Sequence, residues 1–215
     1  MTMRQKKQKL IEYNKNNIVE AARILFQKNG IVQTTVDDIA READCSKATI
    51  YVYFKNKDDI YYHLVLDYMH VLDDAMTACF TRKGDLKEAF LAFCHTLAEF
   101  GDRYPMYFEC VLGSISIDEE MTAELPVLQE IYKVGEHIKT IAYEAVVQAQ
   151  QAGLVDKNID ALQAVLVLWS SLGSIITFAA KKKDYLERSL GLETPLFLEN
   201  SFALLFKILN TKKQL

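Results

Sequence analysis

Residues 34–57 read TTVDDIAREADCSKATIYVYFKNK, and the way this stretch divides decides the fold. In its first half Val36, Ile39, Ala40 and Ala43 stand at i, i+3, i+4 and i+7, one face of a short helix. Thr35 is placed to cap that helix, with Asp38 three residues on as a shorter stand-in for the capping-box glutamate. In the second half Ser46 can cap another helix whose inward side is Ile50 and Phe54, and only Ala43–Cys45 connects the two. Two short helices across so tight a turn read as helix-turn-helix. A second helix of this kind, lying in a DNA major groove, presents its opening residues to base edges. Here those residues are Ser46, Lys47, Ala48 and Thr49. Lys47 can donate to guanine acceptors, Thr49 can donate or accept, and the Ala48 methyl can meet a thymine methyl. Tyr51, Tyr53 and Lys57 follow as phosphate contacts, which fix register without reading sequence, and Thr35 joins them as a candidate DNA contact. The plainer alternative is a small amphipathic helix pair with Tyr51 and Tyr53 as half-buried aromatics.

Working outward, the run from Ile18 to Leu64 resembles the DNA-binding domain of the TetR family of bacterial transcriptional regulators. The matching features are Ala21, Ala22, Leu25, Phe26, Asn29 and Gly30 in the preceding helix, TTVDDIA from Thr34, SKATIY from Ser46 and YFKNKDDI from Tyr53. Val52, between the two tyrosines, and Cys45 depart from the usual family pattern, and both bear on operator choice. The resemblance implies an all-α protein: a three-helix DNA-binding domain over 1–57 joined to a larger helical ligand-binding and dimerisation domain over 58–215. It also implies a helix from Lys57 that links ligand pocket to DNA-reading head, with Lys57 at the phosphate backbone. Dimerisation would use the two long C-terminal helices, and two-fold symmetry would then ask for a palindromic double-stranded DNA operator.

Charge divides the same way. Through Lys57 there are eleven Lys/Arg against six Asp/Glu, a net +5, whereas the remainder has fourteen against twenty-three, a net −9. A basic end suits a phosphate backbone, because charge neutralisation supplies most non-specific affinity and steers encounter. Arg4, Lys6, Lys7 and Lys9 read either as an arm or helix extension touching that backbone or as a solvated tail. At 215 residues and 50% hydrophobic, the chain can bury a substantial core. Its first residues lack the apolar run of a secretory signal, so a cytoplasmic location is expected. Cys45, Cys79, Cys94 and Cys110 show no CxxC pairing and read as reduced, buried thiols rather than metal ligands.

Beyond residue 57 the periodicity is helical throughout. The helix from Lys57 carries Ile60, Leu64, Tyr68, Val71 and Ala75 on one side and Tyr61, Val65, Leu72 and Met76 on another. After a break at Gly84, Leu86, Phe90, Phe93, Leu97 and Phe100 form one stripe, and Pro105 opens a shorter helix. An acidic connection with Asp118, Glu119, Glu120 and Glu124 reads as a solvated loop rather than a cation site. Pro126 suits the start of a long helix carrying Leu128, Ile131 and Tyr132 and stopped near Gly153. Ala161–Ala180 has no charge and is long enough to span a bilayer, but its serines, threonine and glutamine, and its place in an amphipathic array, favour a buried core helix and no membrane. Thr194-Pro195 starts the last helix.

No GxSxG, HExxH or GxxxxGK[ST] occurs, and His63, His70, His95 and His137 stand singly, so neither an enzyme nor a cofactor or metal is expected. The functional expectation is a homodimeric, sequence-specific transcriptional regulator, a repressor released from its operator by a small apolar or amphipathic effector. The alternative is a DNA-binding protein of the same fold controlled by a protein partner, or acting without a small-molecule ligand. The candidate effector site combines Phe93, Phe108, Tyr143 and Trp169 as apolar walls with His95, Glu109 or His137 as orienting groups. Core packing explains each of those aromatics too.

Overall fold

Thr2 opens the first helix with a complete capping box: its hydroxyl accepts from the Gln5 N–H (3.3 Å) while the Gln5 side chain accepts from the Thr2 N–H (2.8 Å). That helix, α1, runs over Met3–Asn29 and stops where Gly30, at φ +81°, takes a conformation that a side chain would strain. The basic N-terminal cluster is therefore a helical extension. In the computed structural model, residues 2–80, 85–109, 111–112 and 125–209 are described, the Glu109 side chain excepted. Cys110, Gly84 and the acidic connection with Asp118, Glu119, Glu120 and Glu124 lie outside them.

Among the described residues the further helices are α2 (Val36–Glu42), α3 (Lys47–Tyr53), α4 (Lys57–Phe80), α5 (Leu86–Arg103), α6 (Pro105–Glu109), α7 (Pro126–Gln151), α8 (Ala161–Lys181) and α9 (Thr194–Leu209), with a π-helical turn at Tyr185–Ser189. Among the described residues there is no strand. The expected proline starts hold: Pro105 and Pro126 each occupy the first helical position, where a missing N–H costs nothing. α8 begins under the Asp160 carboxylate, which accepts from the Gln163 N–H at 2.7 Å.

Two compact units result, Met1–Tyr68 with Ile117–Ile131, and Met69–Ser116 with Tyr132–Leu215. α4 gives its first half to one and its second half to the other. In the first unit Ile18, Ala22 and Phe26 of α1, Ile39 of α2, Ile50 of α3, Phe54, and Ile60 and Leu64 of α4 are fully or almost fully buried. Every apolar residue expected to face inward from α2 and α3 does so, Val36 being half-buried at the rim. The α1–α2 loop is tied down by Thr34, whose buried hydroxyl donates to the Gly30 carbonyl (2.8 Å).

The second unit buries the α5 stripe (Phe90, Phe93, Leu97 and Phe100) with Cys94, whose thiol is pushed well up from its ordinary value by that burial and is inert. Cys45 and Cys79 are half-buried free thiols. Two expected core positions face outward: Val71 is 53% exposed on α4 and Tyr132 57% on α7. Each sits on a helix with enough other apolar residues that its own face is not needed for the core. α8 is long and apolar enough to cross a membrane by length and composition. Only its inner face, including Ala164, Val165, Leu168, Leu172 and Ile176, is buried within the unit, so it packs along one side rather than being buried all round as expected. Leu162, Leu166, Ser170, Ser174 and Phe178, at successive steps of four, remain exposed along its other side. On α9, Leu196, Asn200, Leu204 and Ile208 form a matching exposed row.

Candidate functional site

Local chemistry makes the α2–α3 pair rigid. Asp38 accepts from both the N–H (3.1 Å) and the hydroxyl (2.6 Å) of Thr35, while its own N–H donates back to that hydroxyl (3.2 Å). The expected capping box is present, and those two donors, with Arg41 beside them, hold the Asp38 carboxyl below its usual range. The connection turns at Asp44, a non-glycine residue at φ +49°, a left-handed conformation that Asp tolerates better than most. Asn17 of α1 donates to the Ala43 carbonyl at 2.7 Å and the Cys45 N–H to the Ala40 carbonyl at 2.9 Å, so the strained turn is held from two sides.

Ser46 then caps α3, accepting from the Thr49 N–H at 3.0 Å, and the two hydroxyls lie 2.8 Å apart. Of the expected base-reading residues, Ser46, Lys47 and Ala48 are exposed and Thr49 is half-buried. They sit together at the start of α3, as a groove-reading helix requires. The Lys47 ammonium is engaged: it donates to Asp37 of α2 at 2.8 Å, which holds it above the ordinary lysine range. Among the expected phosphate contacts, Tyr51 is 51% exposed, Thr35 is exposed, and the Tyr53 hydroxyl accepts from Asn14 of α1 at 2.9 Å.

Lys57 is half-buried, and its ammonium donates to the Ile31 and Thr34 carbonyls at 2.6 and 2.8 Å. It thereby pins the α1–α2 loop to the start of α4, a role that spacing alone did not reveal. Below it, the buried Asp59 accepts from the Lys55 N–H (2.9 Å) and lies 3.5 Å from His63 Nδ1. Burial pushes the Asp59 carboxyl up, but the His63 and Lys55 hydrogen bonds with the His63 and Lys15 charges outweigh it and leave the group below its usual range.

Asn14, Asn17 and Asp37 are not singled out by motif or spacing. A signal for the first two existed: positions 14, 17, 18 and 21 continue one α1 face in steps of three and four, with asparagine where the face meets α3 and the turn.

In the second unit the structure does not bring the seven candidate effector residues into one cavity. Phe93 and Trp169 line a cavity of about 60 Å³ with Met76, Phe80, Ala145, Val146 and Phe206; every lining residue is apolar. His95 and Phe108 line a separate open cleft of about 840 Å³, which also carries Glu99, Asp102, Lys181, Lys183, Glu187 and Glu193. His137 is exposed and paired with Asp73 at 2.6 Å, and Tyr143 is 42% exposed. Glu109 has no described side chain. The physical reason is helical phase: Phe93 and His95 are two residues apart on α5 and so face nearly opposite sides. Among the described residues no cluster of His, Cys, Asp and Glu could hold a metal.

Residues 18–64 match the family described as bacterial regulatory proteins, tetR family. The HTH-type transcriptional regulator HbdR of Aromatoleum sp. (strain CIB) is 46% identical over 65 residues, 30% of this chain and 27% of that protein, so the similarity spans only about a quarter of the relative. The fatty acid metabolism regulator protein of Bacillus subtilis (strain 168) is 25% identical over 177 residues, covering 81% of this chain and 85% of its own. Among solved structures, the transcriptional regulator FadR from Bacillus subtilis, in complex with stearoyl-CoA, aligns at TM-score 0.61 and 19% identity over 92% of this chain and 98% of that one, a likeness of fold.

Proposed function

We propose that this chain, which belongs to the TetR family of bacterial regulatory proteins, is a homodimeric repressor that binds a palindromic operator and leaves it when a small apolar or amphipathic effector binds. DNA reading is assigned to residues 1–57, effector binding and dimerisation to 58–215. The observation that carries this reading is the start of α3. There Ser46, Lys47 and Ala48 are presented to solvent by a turn fixed from two sides, on the end of the chain that carries net positive charge. Tyr51, Tyr53, Thr35 and the α1 extension flank them as backbone contacts.

The exposed rows on α8 and α9 support a dimer: they carry Leu162, Leu166 and Phe178 on one helix and Leu196, Leu204 and Ile208 on the other, large apolar side chains interrupted only by small or amide residues, and a two-fold partner would cover both. It would also carry a second α3 to a further major groove one helical turn away. For the effector, the wholly apolar cavity beside Trp169 favours hydrocarbon over polar ligands. The complex of the Bacillus subtilis fold neighbour with an acyl-CoA points the same way. A cavity of about 60 Å³ holds only part of such a chain, so binding would have to widen it, and only a difference in affinity between the two widths would move the DNA equilibrium. Genomic footprinting tests the regulator reading: sites overlapping promoters are expected, and an absence of sequence-selective binding at near-physiological salt would overturn it. Titrating fatty acids and acyl conjugates while following Trp169 emission and operator release tests the effector.

A further inference from the structure

We propose that Asp37, on α2, is a specificity-determining residue: it holds the base-reading ammonium of Lys47 in place and cancels its charge, so that the lysine reads guanine without adding to non-specific attraction. This rests on the assignment of α3 as the DNA-reading helix. The Asp37 carboxylate lies 2.8 Å from Lys47 Nζ, and the two side chains are 60% and 47% exposed, so the pair sits in solvent where DNA would arrive. Asp37 is anchored. It stands in the first turn of α2, where the helix dipole favours a carboxylate, next to Asp38 and the Thr35 capping box that fixes that turn.

A lysine ammonium is a compact charge on a four-carbon stem with three donors, and left alone it would seek any phosphate within reach. Bound to Asp37 it spends one donor on the carboxylate and keeps two for the paired O6 and N7 acceptors of a guanine edge. The pair as a whole is neutral. Non-specific DNA affinity comes from releasing counterions for each phosphate neutralised, so a neutral pair contributes little to it. A carboxylate beside the groove also disfavours registers that bring a phosphate there, which is discrimination by repulsion of the wrong partner. Because an exposed ion pair is weak, the ammonium can tilt toward the base without a large penalty.

The test uses the full-length protein and compares binding to a footprinted operator and to a random-sequence duplex from low to near-physiological salt. For Asp37→Asn the expected result is several-fold tighter binding to the random duplex and a salt dependence steeper by about one unit of log–log slope. The operator-to-random ratio should fall, with an unchanged melting temperature. Asp37→Glu should restore most of the ratio. In a Lys47→Ala background the same Asp37→Asn change should lose most of its effect on the slope. Equal tightening on both duplexes, an unchanged random-duplex affinity, or the same effect with Lys47 absent would each overturn the proposal while leaving the regulator reading intact. A wild-type protein without any operator preference would remove both.

Discussion

Replacing Lys57 by alanine leaves the Ile31 and Thr34 carbonyls without their ammonium partner, a loss on the order of 1–3 kcal/mol for partly buried acceptors. Lys57→Ala is therefore expected to lower the melting temperature of the head and to weaken all DNA sites alike. Lys47→Ala should leave melting unchanged and alter sequence preference. Thermal denaturation alongside binding to operator and scrambled duplexes separates the two, and an equal loss of discrimination in both variants would count against these roles. Asp59 sets the acid limit at the same scale. Its folded carboxyl lies below the ordinary 3.8, so the unfolded chain takes up the proton first as pH falls. The stabilisation is fully present above about pH 4 and is lost as pH drops through the folded value. Melting temperature should hold from neutrality down to about pH 4 and then fall as pH drops toward the folded value, and Asp59→Asn should flatten that acid limb while lowering the plateau.

Among the elements, α1 differs most from what its apolar positions alone would give. Its inward face begins near Ile18, yet the helix starts at Met3 under the Thr2–Gln5 cap, because capping and the straight-chain Lys and Gln side chains sustain helix where packing does not. From Asn14, hydrogen-bonded to Tyr53, back to Thr2 is about 18 Å of helix at 1.5 Å per residue. That length carries Lys9, Lys7, Lys6 and Arg4 outward along the helix beyond the Asn14–Tyr53 contact. Changing these four to Gln should keep the helix, as circular dichroism would show, and reduce the salt slope by roughly 0.9 for each phosphate that is no longer neutralised. An unchanged slope would return the cluster to the status of a solvated face.

The helix-turn-helix was legible because its spacing, caps and turn agree with one another: Thr35, Ser46, Ile39, Ile50 and Phe54 all do what their positions dictate. The effector residues were not. Aromatic content marks a core without saying which side of each helix faces a void, and His95 and Phe93 part company through the helical period alone. Lys57 and Asp37 were opaque for a related reason, since their partners are decided by how a loop and a neighbouring helix come together. The π-helical turn at Tyr185–Ser189 left no periodicity to detect.

At the scale of the whole molecule, the proposed dimerisation through the exposed rows on α8 and α9 would tie DNA affinity to protein concentration. A repressor whose second α3 arrives only with a second chain should lose operator binding once dilution or mutation separates the copies. Leu166→Glu combined with Leu204→Glu places charge within both rows. Sedimentation should then report a monomer with native helicity. Operator affinity should fall far more than affinity for random DNA, and a variant that stays dimeric would place the interface elsewhere.

The cavity beside Trp169 has a mechanical consequence as well. Nearly all-apolar walls give water few anchors, so the space beside Trp169 is poorly filled, and unfilled volume disappears when the chain unfolds. Hydrostatic pressure therefore works against this part of the protein specifically. Ala145→Leu, which adds bulk at the cavity wall, should stiffen the fold against compression, and an effector that occupies the same space should do so reversibly, which makes the pressure midpoint a gauge of occupancy that requires no DNA.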